Sequence, residues 1–314
     1  MSSRITLFKG SSGLNTKLDP ARILYNPKSG VHELGACKNI EIDDSGRVSR
    51  KKGCTERITG SFHSLWCDAG DVMVVKDDAL CVLHPNWTTT AIRNMTPGAF
   101  VSYVQVDDAI YYANGIERGK VRTRGFFDGL SYVWNSGDYV GPETDRELSD
   151  PPTGTHLEYF AGRMWIAQGR VVWYSEQFNL STFDLASNLI EFEDPVIMVR
   201  ATVDGLFVST EKNTFFIAGT DPDGMSERLI ADYPALEWSD VKFYGTITPM
   251  QGGGASINAA GGHLCAAWFT SKGACAGGPE GQFYNLTEDK IDLPSALSGA
   301  GLIWDGMYIG NMNP

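Results

Sequence analysis

The chain has 314 residues, 42% hydrophobic and only 20% charged, a balance that supplies a large core and excludes a disordered chain. Thirty-eight acidic against 26 basic side chains leave a formal charge of −12, and the longest basic run is Arg50-Lys51-Lys52, which argues against a surface built to grip a phosphate backbone. No run approaches the roughly 18 apolar residues of a membrane helix, and Met1-Ser2-Ser3-Arg4-Ile5 lacks the apolar region of a secretory signal, so synthesis and folding in a cytoplasm, without membrane insertion, are expected.

Residues 1–30 are polar and rich in turns, as in Leu18-Asp19-Pro20-Ala21-Arg22 and Pro27-Lys28-Ser29-Gly30, and read as an arm laid over a body. The body, 31–314, repeats one signal seven times: β-branched and aromatic residues, a tight Asp/Gly turn, then a second apolar strand. The turns fall at Asp43-Asp44-Ser45-Gly46, Asp77-Asp78, Asp107-Asp108 and Ala161-Gly162, and then at Asp204-Gly205, Gly261-Gly262 and Asp305-Gly306. A hairpin recurring at such intervals is how a radially repeated β-protein is written, so the expected fold is all-β, a propeller of about six blades. The closing blade is expected to join the strand near Trp304 to Tyr308 with one from the N-terminal region.

One long interruption stands between the third and fourth signals. The segment 117–152, with Arg118, Lys120, Arg122 and Arg124 and a close at Asp150-Pro151-Pro152, reads as a surface insertion and a place for partner contacts. After it, Gly162 to Ser175 gives two alternating apolar strands around Gln168-Gly169-Arg170. Only Asp184–Asn188, Ser226–Asp232 and Asp240–Tyr244 could support short helices, and none has sustained three-to-four spacing.

Catalytic chemistry is thin, and no catalytic, cofactor or metal residue is assigned. Asp43-Asp44, Asp77-Asp78 and Asp107-Asp108 suggest the paired carboxylates of a glycosidase, yet each lies at a hairpin tip where Asp stabilises the turn. Gly252-Gly253-Gly254 is followed by no Lys-Ser/Thr and no helix, so it is not a nucleotide loop. Asp221-Pro222-Asp223-Gly224 opens like a calcium loop but lacks the later bidentate Glu, and reads as a turn. Cys37, Cys54, Cys67, Cys81, Cys265 and Cys275 show no zinc spacing, and His32, His63, His84, His156 and His263 are scattered one per region. Trp66, Trp165, Trp173 and Trp268 occupy alternating strand positions, where packing between blades is the expected role.

The runs Gly162-Arg163-Met164-Trp165-Ile166-Ala167, Val172-Trp173-Tyr174-Ser175-Glu176 and Asp204-Gly205-Leu206-Phe207-Val208-Ser209-Thr210 resemble bacteriophage virion proteins. So do Thr214 to Pro222, Gly13 to Pro20 and Asn39 to Gly53. The resemblance is to the β-propeller tail components of tailed phages, the broad group that includes podovirus nozzle and hub proteins. It implies a non-enzymatic building block of the virion tail, without cofactor: a homo-oligomer that forms a ring or caps a tube, contacts other tail proteins and is open to passive contact with passing DNA. Nozzle proteins are usually longer, which leaves a compact version in another kind of tail equally open. The competing expectation is a carbohydrate-binding or glycan-active propeller in host recognition.

Overall fold

The computed structural model of the chain describes residues 10–313 apart from 24, 27–30, 43–44, 54, 69–70, 123–128, 139–145, 250–254, 288–289 and 305–306. An N-terminal sheet holds β1 (Ser11–Leu14), β2 (Tyr25–Asn26) and β3 (Val31–Leu34), in the order β1-β3-β2 with β1 and β3 parallel. A hairpin of β4 (Ile40–Ile42) and β5 (Val48–Arg50) follows.

Five antiparallel blades come next, the β-propeller arrangement that the repeated hairpins predict. Blade 1 is β6 (Phe62–Asp68), β7 (Asp71–Lys76), β8 (Ala79–Leu83) and β9 (Thr89–Asn94). Blade 2 is β10 (Ser102–Val106), β11 (Ala109–Ala113) and β12 (Arg118–Arg122). Blade 3 has β13 (His156–Phe160), β14 (Arg163–Gln168), β15 (Val171–Glu176) and β16 (Asn179–Phe183), with β17 (Leu189–Glu191) also paired to β15. Blade 4 is β18 (Val196–Ala201), β19 (Gly205–Thr210), β20 (Thr214–Ala218) and β21 (Ser226–Ala231). Blade 5 is β22 (Val241–Pro249), β23 (Ala255–Thr270), β24 (Gly273–Gly277) and β25 (Phe283–Asn285). The chain ends in a hairpin of β26 (Ser298–Trp304) and β27 (Met307–Asn313). No helix among the described residues is long and apolar enough to cross a membrane.

Alternation along the strands gives a blade two apolar faces, and successive blades bury these faces against one another. Met73, Val75 and Leu80 of blade 1 meet Tyr103, Ile110 and Tyr112 of blade 2. Val104 and Ala113 of blade 2 meet Leu157, Met164 and Ile166 of blade 3. Trp165, Val172 and Tyr174 of blade 3 meet Val199, Leu206 and Ile217 of blade 4. Met198, Phe207 and Phe216 then meet Ala266, Trp268 and Cys275 of blade 5. On its far face, blade 5 presents Phe243, Cys265 and Ala267 to Ile303 and Tyr308 of the C-terminal hairpin. That hairpin follows blade 5 where a sixth blade would stand.

Several sequence expectations meet corrections. Gly261 and Gly262 do not make a hairpin turn. They lie inside β23, where the register jumps from Gly245↔His263 to Thr246↔Asn258, so the positive φ of both residues serves a bulge. Asp240–Tyr244 runs into β22, where Val241 and Phe243 have a sheet face to fill, and Ser226–Asp232 runs into β21, a largely exposed strand held by its pairing with β20 from Ala218↔Ser226 to Thr214↔Ala231. Asp184–Asn188 is a turn in which Asp184 Oδ1 accepts from the backbone N–H groups of Ala186 and Ser187.

The segment 117–152 is partly blade. Residues 118–122 are β12, Lys120 bridges to Tyr132, and Trp134 is fully buried among Val104, Ala113 and Leu157. The strand join expected for the closing blade is not formed among the described residues, where β26 and β27 pair only with each other. The N-terminal segment instead meets the connector leading into β26: Thr16 N–H donates to Lys290 O at 2.7 Å, and Asp292 N–H donates to Thr16 Oγ1 at 2.9 Å. The turns at Asp43-Asp44 and Asp305-Gly306, the glycines Gly252-Gly253-Gly254, and Cys54 and Arg124 lie outside the described residues.

Candidate functional site

The first strands of successive blades adjoin one another, β6 to β10, β10 to β13, β13 to β18 and β18 to β22, which places them around the propeller axis. Three of them, β13, β18 and β22, each carry a charged residue among apolar ones, and Glu158, Arg200 and Lys242 converge. Glu158 of β13 is 0% exposed. Its Oε1 accepts from Lys242 Nζ at 2.6 Å and from Tyr159 N–H at 2.8 Å, and its Oε2 accepts from Ala201 N–H at 3.2 Å. Arg200 of β18 stands with Nη1 3.6 Å from Glu158 Oε2 and Nε 2.5 Å from Asp240 Oδ2. Arg200 Nη1 also donates to Leu157 O at 3.2 Å and Val199 O at 2.9 Å. Two buried carboxylates are therefore matched by two cations, the condition under which charge can remain in a low-dielectric interior.

An aromatic chain crosses beside this group. His156, at the start of β13, has Nε2 3.2 Å from Glu237 Oε1 and its ring 4.5 Å from that of Trp238. Trp238 stacks on Phe100 at 5.5 Å, and Phe100 lies 5.2 Å from His63 of β6. Burial pushes the His63 imidazole below its ordinary value, with Asp78 opposing. The stack joins the segment entering blade 2 to the segment entering blade 5, and so ties parts of the ring that are remote in sequence.

Two clefts lie between blades. One, of about 420 Å³, is lined by Asp204, Phe216, Ser226, Arg228 and Glu280. In it Arg228 Nη2 donates to Glu280 O at 2.7 Å, and Asp204 Oδ2 accepts from Glu280 N–H at 2.7 Å, which fixes the loop 279–281 of blade 5 to blade 4. The other, of about 170 Å³, holds the ion pair of Arg146 with Glu176 at 2.9 Å beside the Asp221–Asp223 turn. Asp221 Oδ1 accepts from Asp223 N–H at 3.4 Å, so this motif caps its own turn, and no His/Cys/Asp/Glu group fit to hold a metal ion occurs among the described residues.

Asp77 and Asp78 close the β7–β8 hairpin with φ of 48° and 61°, and Asp77 Oδ1 accepts from Ser61 N–H at 2.9 Å. Asp107, at φ 53°, begins the turn between β10 and β11 that Asp108 completes. Trp165 and Trp268 are fully buried between blades, while Trp66 and Trp173 pack at the margins of such layers. Cys81 and Cys265 are buried, and burial raises both thiol pKa values, which suits packing rather than reactivity. None of Glu158, Arg200, Asp240 and Lys242 was singled out from the sequence. The signal available was a lone charge in an otherwise apolar first strand, as in His156-Leu157-Glu158-Tyr159-Phe160 and Val196-Ile197-Met198-Val199-Arg200-Ala201.

No family model matches the chain, and no curated protein matches it. Among solved structures, it is similar to catalytically inactive virginiamycin B lyase of Staphylococcus aureus with quinupristin, at 12% identity and TM-score 0.46, over 87% of this chain and 83% of that one. It is also similar to Kluyveromyces lactis Hsv2, at 8% identity and TM-score 0.37, over 91% of this chain and 85% of that one. A third similarity is to the extracellular domain of a putative hybrid two-component system of B. thetaiotaomicron, at 13% identity and TM-score 0.39. It covers 72% of this chain, which spans 28% of that protein's length.

Proposed function

We propose that the chain is a structural component of a bacteriophage tail, a ring, hub, nozzle or tube-end protein that assembles in several copies with other virion proteins beside the DNA path. It acts by contact and carries no catalytic activity or cofactor. The observation that favours a structural role over a glycan-active one is the state of the convergent carboxylates. A propeller that cleaves glycans holds carboxylates toward free space, whereas Glu158 and Asp240 are buried and already paired, Glu158 with Lys242 and Arg200 and Asp240 with Arg200. The formal charge of −12 suits a wall along which DNA slides, since each tight phosphate contact would be a barrier to movement.

The test is whether the chain sediments with purified virions and occupies the tail in images of labelled particles; its absence from virions overturns the reading. The glycan-active alternative draws on the cleft of Asp204, Arg228 and Glu280. Saturable glycan turnover or binding abolished by Asp204→Asn, with the fold retained, would replace the structural proposal.

A further inference from the structure

The C-terminal hairpin has two unlike faces. Toward blade 5 it turns Ile303 and Tyr308, and the Tyr308 hydroxyl donates to Ser239 O at 2.6 Å. The opposite face follows from the register Ala300↔Asn311 and Leu302↔Ile309, which sets Leu302, Trp304 and Ile309 side by side. These three are 45%, 61% and 41% exposed. By contrast, the apolar faces that blades 1 to 5 turn toward one another are covered by the neighbouring sheet.

The surroundings are unusual in charge as well. From 293 to 314 the sequence carries one charged residue, Asp305, in a chain where 20% of residues are charged. At a net charge of −12, two copies repel each other over most of their surface. Repulsion is least where this uncharged face meets its own copy. Moreover β27, Met307–Asn313, pairs only with β26 among the described residues and contains no Lys, Pro or acidic residue. Sheet edges and faces that must stay solitary are ordinarily guarded by such residues.

We propose that the outward face of the C-terminal hairpin, Leu302, Trp304 and Ile309, is a homotypic interface on which the same face of a second copy packs across a two-fold axis. The proposal rests on the structural reading above and names a surface that joins copies in pairs, since a two-fold contact closes at two copies and a ring is built by separate head-to-tail contacts. Two seven-residue strands about 4.8 Å apart offer a face roughly 24 Å by 10 Å. That is well under the ~800 Å² per partner of a standard interface. Association is therefore weak, of the transient kind, and gains strength only where neighbouring tail proteins hold copies together.

Sedimentation equilibrium of the full chain over a concentration series tests this. The wild type is expected to shift from monomer toward dimer, and Leu302→Glu and Leu302→Lys each to weaken association at least about tenfold, a loss of ~1.4 kcal/mol. Mixing the two variants should restore dimer, which shows that each is folded and that opposite charges meet across the contact. A wild type that stays monomeric throughout the series, or variants that dimerise as it does, overturns the interface. If the wild type is monomeric while Leu302→Glu is lost from virions, the face serves a different protein: the homotypic proposal falls and the tail role stands. If the wild type dimerises and the chain is absent from virions, the interface stands and the tail role falls.

Discussion

Arg200 Nε lies 2.5 Å from Asp240 Oδ2 and so ties the penultimate residue of β18 to the residue just before β22. The same guanidinium reaches Glu158 of β13, which makes Arg200 the hub of three blades at the axis. Arg200→Met leaves Glu158 to Lys242 alone and leaves Asp240, whose side chain is 1% exposed, without its cation. The expected loss is about 3–5 kcal/mol, because an unpaired buried charge remains. Urea denaturation reads it directly, and a variant within about 0.5 kcal/mol of wild type would show that the pair is solvated and dispensable.

Gly301 bears on how the hairpin is seated. A Cβ there would lie 2.1 Å from Ser239 O, a backbone atom with little room to yield, and 2.9 Å from Val241 Cγ1. Gly301→Ala is therefore expected to lift β26 and β27 from blade 5 at a cost of about 1–3 kcal/mol, while blades 1 to 5 persist. Limited proteolysis should cut the variant between blade 5 and β26 well before the wild type. Equal cleavage rates would mean that the hairpin is not held by this contact.

The repeat was legible because hairpin chemistry is local: Asp77-Asp78 and Ala161-Gly162 carry their positive φ in the residues themselves. Gly261-Gly262 misled for the same reason, since a bulge and a turn make the same demand on backbone conformation and only the partner strand distinguishes them. The axial group was not legible. Glu158 and Lys242 are 84 residues apart and meet only because two first strands adjoin at the axis. Trp134 follows Leu130, Tyr132 and Val133 but sits in a segment whose glycines, charges and prolines read as loop, and only tertiary packing draws it into the layer between blades 2 and 3.

That buried tryptophan gives a measurement of how far the segment 117–152 belongs to the fold. Trp134 Nε1 donates to Leu180 O at 3.1 Å, and its ring meets Tyr111 edge-on at 5.1 Å. Trp134→Ala should cost about 3–5 kcal/mol, as for a large aromatic deleted from a core. Trp134→Phe should recover most of that. A loss below about 1 kcal/mol for the alanine variant would mark the segment as surface decoration after all.

Acid should loosen the contacts between blades 1, 2 and 3 first. Burial opposes ionisation of Glu117, but hydrogen bonds from Thr96 and Asn114 outweigh it and hold the carboxyl below its ordinary 4.5. Burial likewise opposes Glu176, where Arg146 and Asn188 prevail. The side-chain and backbone hydrogen bonds of Ser136 hold Asp150 below 3.8, with Arg118 adding to them. Each folded-state value is depressed, so the stabilisation is fully present above the ordinary carboxylate values and is lost as pH falls through the lowered ones. Relief of a net charge of −12 acts in the opposite direction on acidification, so the decisive comparison is between variants rather than along one curve. Glu117→Gln should lower Tm at pH 7 and converge with the wild type at low pH. Parallel Tm curves for the two proteins across that range would show that the Glu117 charge adds nothing to the fold.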